Sequence, residues 1–285
     1  MIESMTGFGG ASSVFENKKI IVEIKSLNSK NCDLNVRLPG RYKSKELEIH
    51  KILKEDLKRG KVDFYLNLET VSGGGETLLN KAVLENYIKD LKTIAPQASD
   101  IDLLSIASHF PEVISSSNYE VSEEEWKVLV STIKEALNSL AEFRKIEGKA
   151  LQTKLASYVK NIEENLSKVI PFEEVRIQNI KEKLRANLKE FQEVDEARFY
   201  QEIIYYTEKL DISEEKVRLA QHCKYYMEVM RNEESNGKKL GFIAQEMGRE
   251  INTLGSKASH QEIQKLVVKM KDDLEKIKEQ TLNVL

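Results

Sequence analysis

Hydrophobic and polar residues alternate along much of residues 12–69, and this two-residue period predicts β-strands with one buried face. The alternation is clearest in Ile20–Lys25 and returns in Cys32–Leu38, where a Pro-Gly pair ends the strand. Glu16–Lys19 has the composition of a hairpin turn. A last alternating run covers Lys61–Glu69, so we expect four strands in this part of the chain.

One helix interrupts these strands. Residues 44–59 place leucine and isoleucine on one helical face, with Ser44 as the expected N-cap and Gly60 as the expected end. The order of three strands, one helix and one strand predicts an α+β unit. The triplet Gly73–Gly75 then predicts a flexible exit from it.

Past residue 80 the hydrophobic period changes to that of α-helices. The run Ser122–Lys168 exceeds the usual length of a globular helix, which is about 25 residues at most, and is typical of a coiled coil or of an arm that leaves the globular body. Such an arm needs a partner, so we expect self-association. The predicted helices are Lys81–Thr93, Asp102–Ser108, Ser122–Lys168, Glu173–Glu190, Ala197–Lys209, Ser213–Arg231, Lys239–Leu254 and Ser259–Asn283.

The predicted fold class is therefore α+β, a small N-terminal sheet-and-helix domain followed by a long, predominantly α-helical region with extended coiled-coil-like helices. We expect an N-terminal domain at residues 1–75, with an alternative end near residue 155. A helical middle region with the long arm follows at 76–190, and a helical C-terminal domain at 191–285. A length of 285 residues suits more than one domain.

The chain has 44 basic and 47 acidic side chains and a net charge of −3, which excludes uniform coating of a nucleic acid by positive charge. Residues 1–70 carry 13 basic and 10 acidic side chains, so a local contact with a polyanion is expected there first.

The two cysteines, Cys32 and Cys223, have no metal-ligand spacing, and a reducing compartment suits them best. Neither a leader peptide nor an apolar stretch of about 18 residues is evident, so we expect a cytoplasmic protein without a membrane partner.

Several common catalytic motifs are missing from the sequence: there is no P-loop, Rossmann glycine pattern, HExxH, GxSxG or CxxC. Met5–Gly10 is rich in glycine but precedes strands, so it lacks the helix that would cradle a phosphate. We expect it to be a tight entry of the chain, packed by Phe8.

Polar residues near the C-terminus have the spacing of a functional site. Glu214, Arg218 and His222 recur at intervals of four along one helical face. Glu246 and Glu250 have the same spacing, at which two carboxylates can share a divalent cation. The alternative to a functional site is that these residues only support the fold. Glu214 and Arg218 have the spacing of an ordinary surface ion pair, and a single histidine is more often a hydrogen-bonded residue of the fold than a catalytic one.

The segment Gln245–Lys257 differs from an ordinary amphipathic helix because many polar residues share its polar face. It also ends in a polar stretch whose backbone conformation is permissive. Its buried stripe is expected to be Leu240, Ile243, Met247, Ile251 and Leu254. The residues left free to face a ligand are expected to be Glu246, Arg249, Glu250, Thr253 and Lys257.

Two motifs, Met5–Gly9 near the start and Gln245–Lys257 near the end, make the chain resemble the YicC/YloC-type bacterial endoribonucleases. The resemblance extends along the whole chain. The further matching segments are Glu23–Asn28, Asn35–Pro39, Arg59–Val62, Asp211–Glu215, Arg218-Leu219 and Gly237–Leu240.

The resemblance implies a cytoplasmic, divalent-metal-dependent nuclease that cleaves single-stranded or loop-containing RNA internally, assembled as a homo-hexamer around an RNA-binding cavity. It also implies an N-terminal α+β domain and a helical C-terminal domain. His222 matches the family histidine that follows an Arg-Leu pair. The matching polar positions are Glu214, Glu246, Arg249, Glu250, Asn252, Thr253 and Lys257.

One departure concerns Asn28–Lys30, where members of the family commonly have Asn-His-Arg. The imidazole is missing from this chain, and Lys30 keeps a basic group for phosphate.

From these residues we form one mechanistic hypothesis. Glu214, Glu246 and Glu250 are the expected ligands of Mn²⁺ or Mg²⁺, with Glu246, Glu250 and His222 as catalytic residues and His222 as proton donor. The expected RNA-binding residues are Lys30, Arg37, Arg59, Lys61, Arg218, Lys238, Lys239, Arg249, Asn252 and Lys257.

Two alternatives stay open. In one, the RNA 2′-OH is the nucleophile and His222 the acid or base, with no metal. In the other, the protein is a non-catalytic oligomeric RNA-binding scaffold or adaptor.

Overall fold

The computed structural model describes residues 2–29, 31–57, 59–70, 78–111, 113–115, 121–189, 196–232 and 237–285. It has a four-stranded sheet at the N-terminal end and long helices over most of the rest. The predicted α+β class is confirmed. The triplet Gly73–Gly75 lies outside the described residues.

The sheet has the strand order β1-β2-β4-β3, where only β3 runs parallel to its neighbour. The predicted alternation sets this arrangement, because each strand turns its apolar positions to one side. Ile20, Val22, Ile24 and Phe64 are fully buried on this inner face. The strands are β1 at Gly7–Phe15, β2 at Lys18–Leu27, β3 at Cys32–Arg37 and β4 at Gly60–Thr70.

The helix between β3 and β4 is shorter than predicted. A 3₁₀ turn covers Gly40–Lys45, and the first α-helix, α1, follows at Glu46–Asp56. Ser44 is therefore not the N-cap. Lys45 occupies that position without a side-chain hydrogen bond, because the 3₁₀ turn leads directly into the helix.

The remaining helices begin and end within a few residues of their predicted bounds. They are α2 at Lys81–Ile94, α3 at Asp100–Ala107, α4 at Glu123–Ser167, α5 at Pro171–Lys189, α6 at Glu196–Lys209, α7 at Ser213–Arg231, α8 at Gly237–Ala258 and α9 at Gln261–Thr281. Short strands β5, at Leu78–Leu79, and β6, at Ile114–Ser115, pair beside α2 and α3. Within the described ranges, no helix has the length and apolarity that crossing a membrane requires.

Helix α4 has 45 residues, which corresponds to a length of about 68 Å, and it contributes to two separate hydrophobic cores. Its first half packs on the inner face of the sheet through residues that include Leu129, Ile133 and Leu140. Its second half packs on α7 and α9 through residues that include Leu155 and Ile162, in a core that α8 shares. A single rigid helix therefore fixes the sheet relative to the C-terminal helices.

Capping explains where α4 begins. The Ser122 side chain accepts a hydrogen bond from the Glu125 amide, and three glutamates fill the first turn. Glu125 itself is buried rather than solvated, because Arg41 and Tyr42 donate hydrogen bonds of 2.7 and 2.5 Å to its two carboxylate oxygens. Burial and this hydrogen bond raise the pKa of Tyr42.

The two ends of the chain pair with each other on the middle of α4. The Met5 amide donates to the Asn283 carbonyl at 2.8 Å, and the Leu285 amide donates to the Glu3 carbonyl at 2.9 Å. This paired segment, residues 2–6 with 283–285, lies against α4 where the Ser4 amide reaches the Arg144 carbonyl at 3.1 Å.

The Arg144 side chain links the paired ends to the sheet. It is buried, and its Nη2 donates to the Ser26 hydroxyl at 2.6 Å and to the Met5 carbonyl at 3.4 Å. Burial lowers the pKa of Arg144. The contact between the sheet and α4 is thus stabilised by the hydrogen bonds of the buried Arg144 guanidinium as well as by apolar packing.

Glycine at position 148 allows the close approach of the chain ends to α4, because a Cβ there would overlap the Ile2 carbonyl oxygen. We expect Gly148→Ala to lower the free energy of unfolding by about 1–3 kcal/mol, because the backbone at Ile2 must move away from the added methyl group. The control is Gly241→Ala in α8, where a Cβ meets open space. This control should gain about 0.5–1 kcal/mol. Urea unfolding of both variants tests this, and equal stability of the two would contradict the proposed close packing.

Candidate functional site

A cleft of about 770 Å³ lies between the sheet and the C-terminal helices. Its wall combines Arg59, which precedes β4, with residues at the start of α8 and the end of α9. The lining residues are Arg59, Gly237, Lys238, Gly241, Gln245, Lys278, Glu279, Thr281 and Leu282. We call this cavity the basic cleft, because three of its side chains are cations and one is an acid.

Each cation of the basic cleft is positioned by the fold. The Arg59 Nε donates to the Ser29 carbonyl at 3.0 Å, which holds the guanidinium beside the β2–β3 connection. Lys278 forms a 2.8 Å ion pair with Glu275 one turn earlier in α9. Lys238 belongs to the first turn of α8, whose backbone N–H groups add partial positive charge. The cleft thus has the electrostatics of a phosphate-binding site.

Gly237 brings the start of α8 against the end of the chain. A Cβ at this position would overlap the Val284 carbonyl oxygen, so a larger residue would push α8 away from the paired chain ends. The predicted helix began at Lys239, whereas the structure extends it to Gly237, and this extension places Lys238 at the mouth of the cleft.

A second group of predicted residues lies along the contact between α7 and α8, which run antiparallel. At one end Lys257 donates to Glu215 at 2.8 Å. Toward the other end the Lys239 ammonium lies 5.3 Å from the Tyr225 ring centroid. These two contacts fix the register of the helices, and we call the polar surface between them the α7–α8 strip.

His222 and Glu250 belong to the middle of this strip. His222 follows Glu215 by seven residues, and Glu250 precedes Lys257 by seven, so each lies two turns inside the same ion pair. His222 is half-buried and Glu250 is 6% exposed. The helices therefore bring an imidazole and a carboxylate to the same level of the strip.

The predicted apolar stripe of α8 is confirmed, because Leu240, Ile243, Met247, Ile251 and Leu254 are all buried. The expectation that the polar residues stay free is wrong for two of them. Glu250 is buried against the bundle. Lys257 is held by the buried carboxylate of Glu215, a contact across two helices that helical spacing alone does not reveal.

Other predicted residues of the strip are exposed and paired locally. Glu214 forms an ion pair with Arg218, as the structural alternative anticipated. Glu246 accepts a 3.3 Å contact from Arg249, which is 74% exposed at its side chain, and Asn252 is also exposed. These pairs leave the strip nearly neutral.

Within the described parts of the chain, no three His, Cys, Asp or Glu side chains lie close enough together to hold a metal ion. The predicted ligands do not converge, because Glu214 is next to Glu215 and so lies near Lys257. That position is eleven residues, or about 16 Å along α8, from Glu246. Glu246 and Glu250, one turn apart, are the two carboxylates that remain near each other.

Cys223, next to His222, is a free thiol in the core, and burial raises its pKa to about 12. It therefore stays protonated near neutral pH and does not supply a thiolate nucleophile.

The sheet carries the other predicted RNA-binding residues on its outer face. Arg37 is exposed, with its guanidinium 5.2 Å from the Tyr65 ring centroid, and Lys61 is exposed at the start of β4. Lys30 lies outside the described residues. Met5–Gly10 was expected to be a tight entry of the chain packed by Phe8, but β1 begins within it at Gly7, and Phe8 is 43% exposed rather than packed inside. Strand pairing with β2 extends through this segment and turns Phe8 outward.

Some residues of the cleft escaped the sequence analysis. Lys278 and Glu279 have ordinary positions on an amphipathic helix, and their spacing gives no signal. The exposed aromatics of the sheet did have a signal, because Tyr65 has the opposite parity to the buried Val62, Phe64 and Leu66.

Comparison with known proteins covers both halves of the chain. Residues 2–153 match the family model of the N-terminal region of YicC-like endoribonucleases, and residues 169–285 match that of their C-terminal region. The chain is 33% identical over 293 residues to the "Probable endoribonuclease YicC" of Clostridioides difficile (strain 630), with full coverage of both chains. It is 28% identical over 290 residues to the protein of the same name from Haemophilus influenzae, again with full coverage. This chain therefore belongs to the YicC-like endoribonuclease family.

Proposed function

We propose that the protein is an endoribonuclease that cleaves RNA internally in single-stranded or hairpin-loop segments and acts in RNA turnover. The observation that carries this proposal is the basic cleft, in which Arg59, Lys238 and Lys278 meet in a chain of this family. A volume of about 770 Å³ is that of a small-ligand site and suits a short stretch of nucleic acid backbone.

In this proposal the cleft binds phosphate and the α7–α8 strip contributes the chemistry. Arg59, Lys238 and Lys278 pair with phosphate oxygens, helped by the N-terminal turn of α8. His222 lies within reach of solvent and serves as a proton donor or acceptor at the scissile bond.

We also propose that cleavage depends on a divalent cation, Mn²⁺ or Mg²⁺. Mg²⁺ is commonly held by one or two carboxylates, with waters and substrate phosphates as the other ligands. Glu246 and Glu250, one turn apart on α8, are the residues that would hold such an ion, and it would lower the pKa of a bound water. Because no three such ligands lie together in the described parts of one chain, RNA or a second copy would complete the coordination.

Self-association is part of the proposal, with a homo-hexamer implied by the family resemblance. Helix α6 exposes Tyr200, Ile204 and Tyr205, each more than half accessible to solvent, although its hydrophobic spacing is that of a packed helix. Exposed apolar side chains of this kind mark protein interfaces. A second copy covering α6 accounts for them.

The first test concerns the cleft. We expect Arg59→Gln and Lys238→Gln each to weaken binding of a fluorescent hairpin RNA by about 10-fold, since each removes a charge-assisted phosphate contact. The slope of log affinity against log salt should decrease in magnitude by about 1 for each variant. Lys265→Gln is the matched control, because Lys265 is an exposed lysine of α9 outside the cleft. Equal losses in all three variants would exclude the cleft as the binding site.

Incubating the protein with an end-labelled hairpin RNA, with and without Mn²⁺, tests cleavage itself. We expect metal-dependent shortening. Binding without shortening in any condition would instead support the scaffold or adaptor alternative.

The second test concerns the carboxylates. We expect Glu246→Gln with Glu250→Gln to abolish metal-dependent cleavage while RNA affinity stays within about 2-fold, because the cleft residues are intact. Calorimetric titration of Mn²⁺ into the protein bound to a cleavage-resistant, phosphorothioate-substituted RNA gives a readout besides activity, and the double variant should lose the binding heat that the wild type shows. Glu262→Gln, an exposed α9 carboxylate, is the control.

If the double variant cleaves RNA as fast as the wild type, Glu246 and Glu250 have no part in the mechanism. Activity that resists EDTA and leaves cyclic phosphate ends would replace the metal with the 2′-OH mechanism.

The third test concerns assembly. We expect Ile204→Glu to lower the mass measured by multi-angle light scattering, because a charge at an apolar interface is costly to bury. Ile94→Glu is the control, since Ile94 is exposed at the end of α2. An unchanged mass for Ile204→Glu, or equal dissociation of both variants, would exclude α6 as the interface.

A further inference from the structure

The outer face of the sheet carries aromatic side chains where alternation predicts polar ones. Phe8 on β1 is 43% exposed, and Tyr65 on β4 is half-buried on the same face. The inner face is filled by the core, so these rings contribute nothing to it. Two aromatic rings on the open side of a sheet need an explanation other than packing.

Basic side chains lie against both rings. The Lys25 ammonium is 5.9 Å from the Phe8 ring centroid and 5.4 Å from that of Tyr65. The Arg37 guanidinium is 5.2 Å from the Tyr65 centroid. Since Phe8 pairs in register with Lys25, and Arg37 with Tyr65, the group spans all four strands. We call Phe8, Lys25, Arg37 and Tyr65 the aromatic-cation row.

The acidic residues on this face are already engaged. Glu23 forms a 3.3 Å ion pair with Lys25, and Asp63 accepts a 2.8 Å hydrogen bond from the Asn35 amide. The Asp33 carboxylate accepts from the Ser29 hydroxyl at 2.9 Å. A phosphate that binds Lys25 replaces Glu23 as its partner, while Asp63 and Asp33 keep their hydrogen bonds to Asn35 and Ser29.

The row is continuous with the basic cleft. Lys61 and Tyr65 have the same parity along β4, so they lie on one side of the sheet, and Arg59 comes two residues before Lys61, just ahead of the strand. Arg59 lines the cleft, and Tyr65 is six residues later, a distance of about 20 Å along an extended strand. A polyanion held in the cleft can therefore extend over Lys61 onto the row.

We propose that the outer face of the sheet is a base-stacking surface for single-stranded RNA. Bases stack on Phe8 and Tyr65, while Lys25 and Arg37 swing from the ring faces to the phosphates. Stacking on aromatic side chains with cations beside them is how proteins hold unpaired bases on an open sheet. This inference rests on the proposed function and adds a second, base-dependent contact to the phosphate-binding cleft.

The experiment compares two probes, a 12-nucleotide single-stranded RNA and a matched oligomer with abasic sites, by fluorescence anisotropy in EDTA. We expect Phe8→Ala and Tyr65→Ala each to weaken binding of the base-bearing RNA by about 5-fold or more, since stacking contributes about 1–3 kcal/mol per base. Binding of the abasic oligomer should not change. Tyr65→Phe keeps the ring and should keep the affinity.

Val14→Ala is the matched control on the same face, because Val14 is 62% exposed on β1. Unchanged affinity of Phe8→Ala and Tyr65→Ala for the base-bearing RNA would overturn the inference. A fall in assembly mass caused by Tyr65→Ala would also overturn it, by assigning the face to a second copy of the chain. The cleavage assay is separate: a wild-type protein that cuts RNA while these variants bind normally refutes only the stacking surface.

Discussion

The packing of a single helix into two cores is the constraint on which the rest of the structure depends. Helix α4 buries one half against the sheet and the other against α7 and α9, in a core that α8 shares. A continuous α-helix is stiff, so the two cores cannot shift independently along it. The paired chain ends and the buried Arg144 then close the junction at the middle of α4.

The basic cleft is a consequence of this junction. Arg59 belongs to the sheet, whereas Lys238 and Lys278 belong to the helices, and they are separated in sequence by about two thirds of the chain. Concentrating like charges costs free energy, so the fold needs a rigid backbone to hold them together against their repulsion. Gly237 against Val284 and Arg59 against the Ser29 carbonyl supply that rigidity.

Local periodicity predicted the elements well, because each strand and helix buries one face whose spacing is visible in the sequence. The predicted N-cap at Ser44 was wrong, because the residue at an N-cap depends on the conformation of the preceding backbone, which is a 3₁₀ turn in this protein. Contacts between distant segments were not predictable. The position of Lys257 in the sequence does not predict its ion pair with Glu215. The sequence of α9 likewise does not show that Lys278, rather than a neighbouring lysine, lines the cleft. The family resemblance supplied residue identities at the site but not their arrangement.

Under the proposed function, helix α8 sets the distance between the phosphate-binding cleft and the acid-base groups of the α7–α8 strip. Lys238 at its first turn and Glu250 near its middle are twelve residues apart, or about 18 Å along the axis. The charges differ in kind at the two places: cations dominate the cleft, whereas the α7–α8 strip alternates acids and bases that neutralise one another. A neutral strip binds phosphate weakly but suits proton transfer. Backbone gripped at one end of a rigid helix is therefore presented to the acid-base groups at a fixed distance.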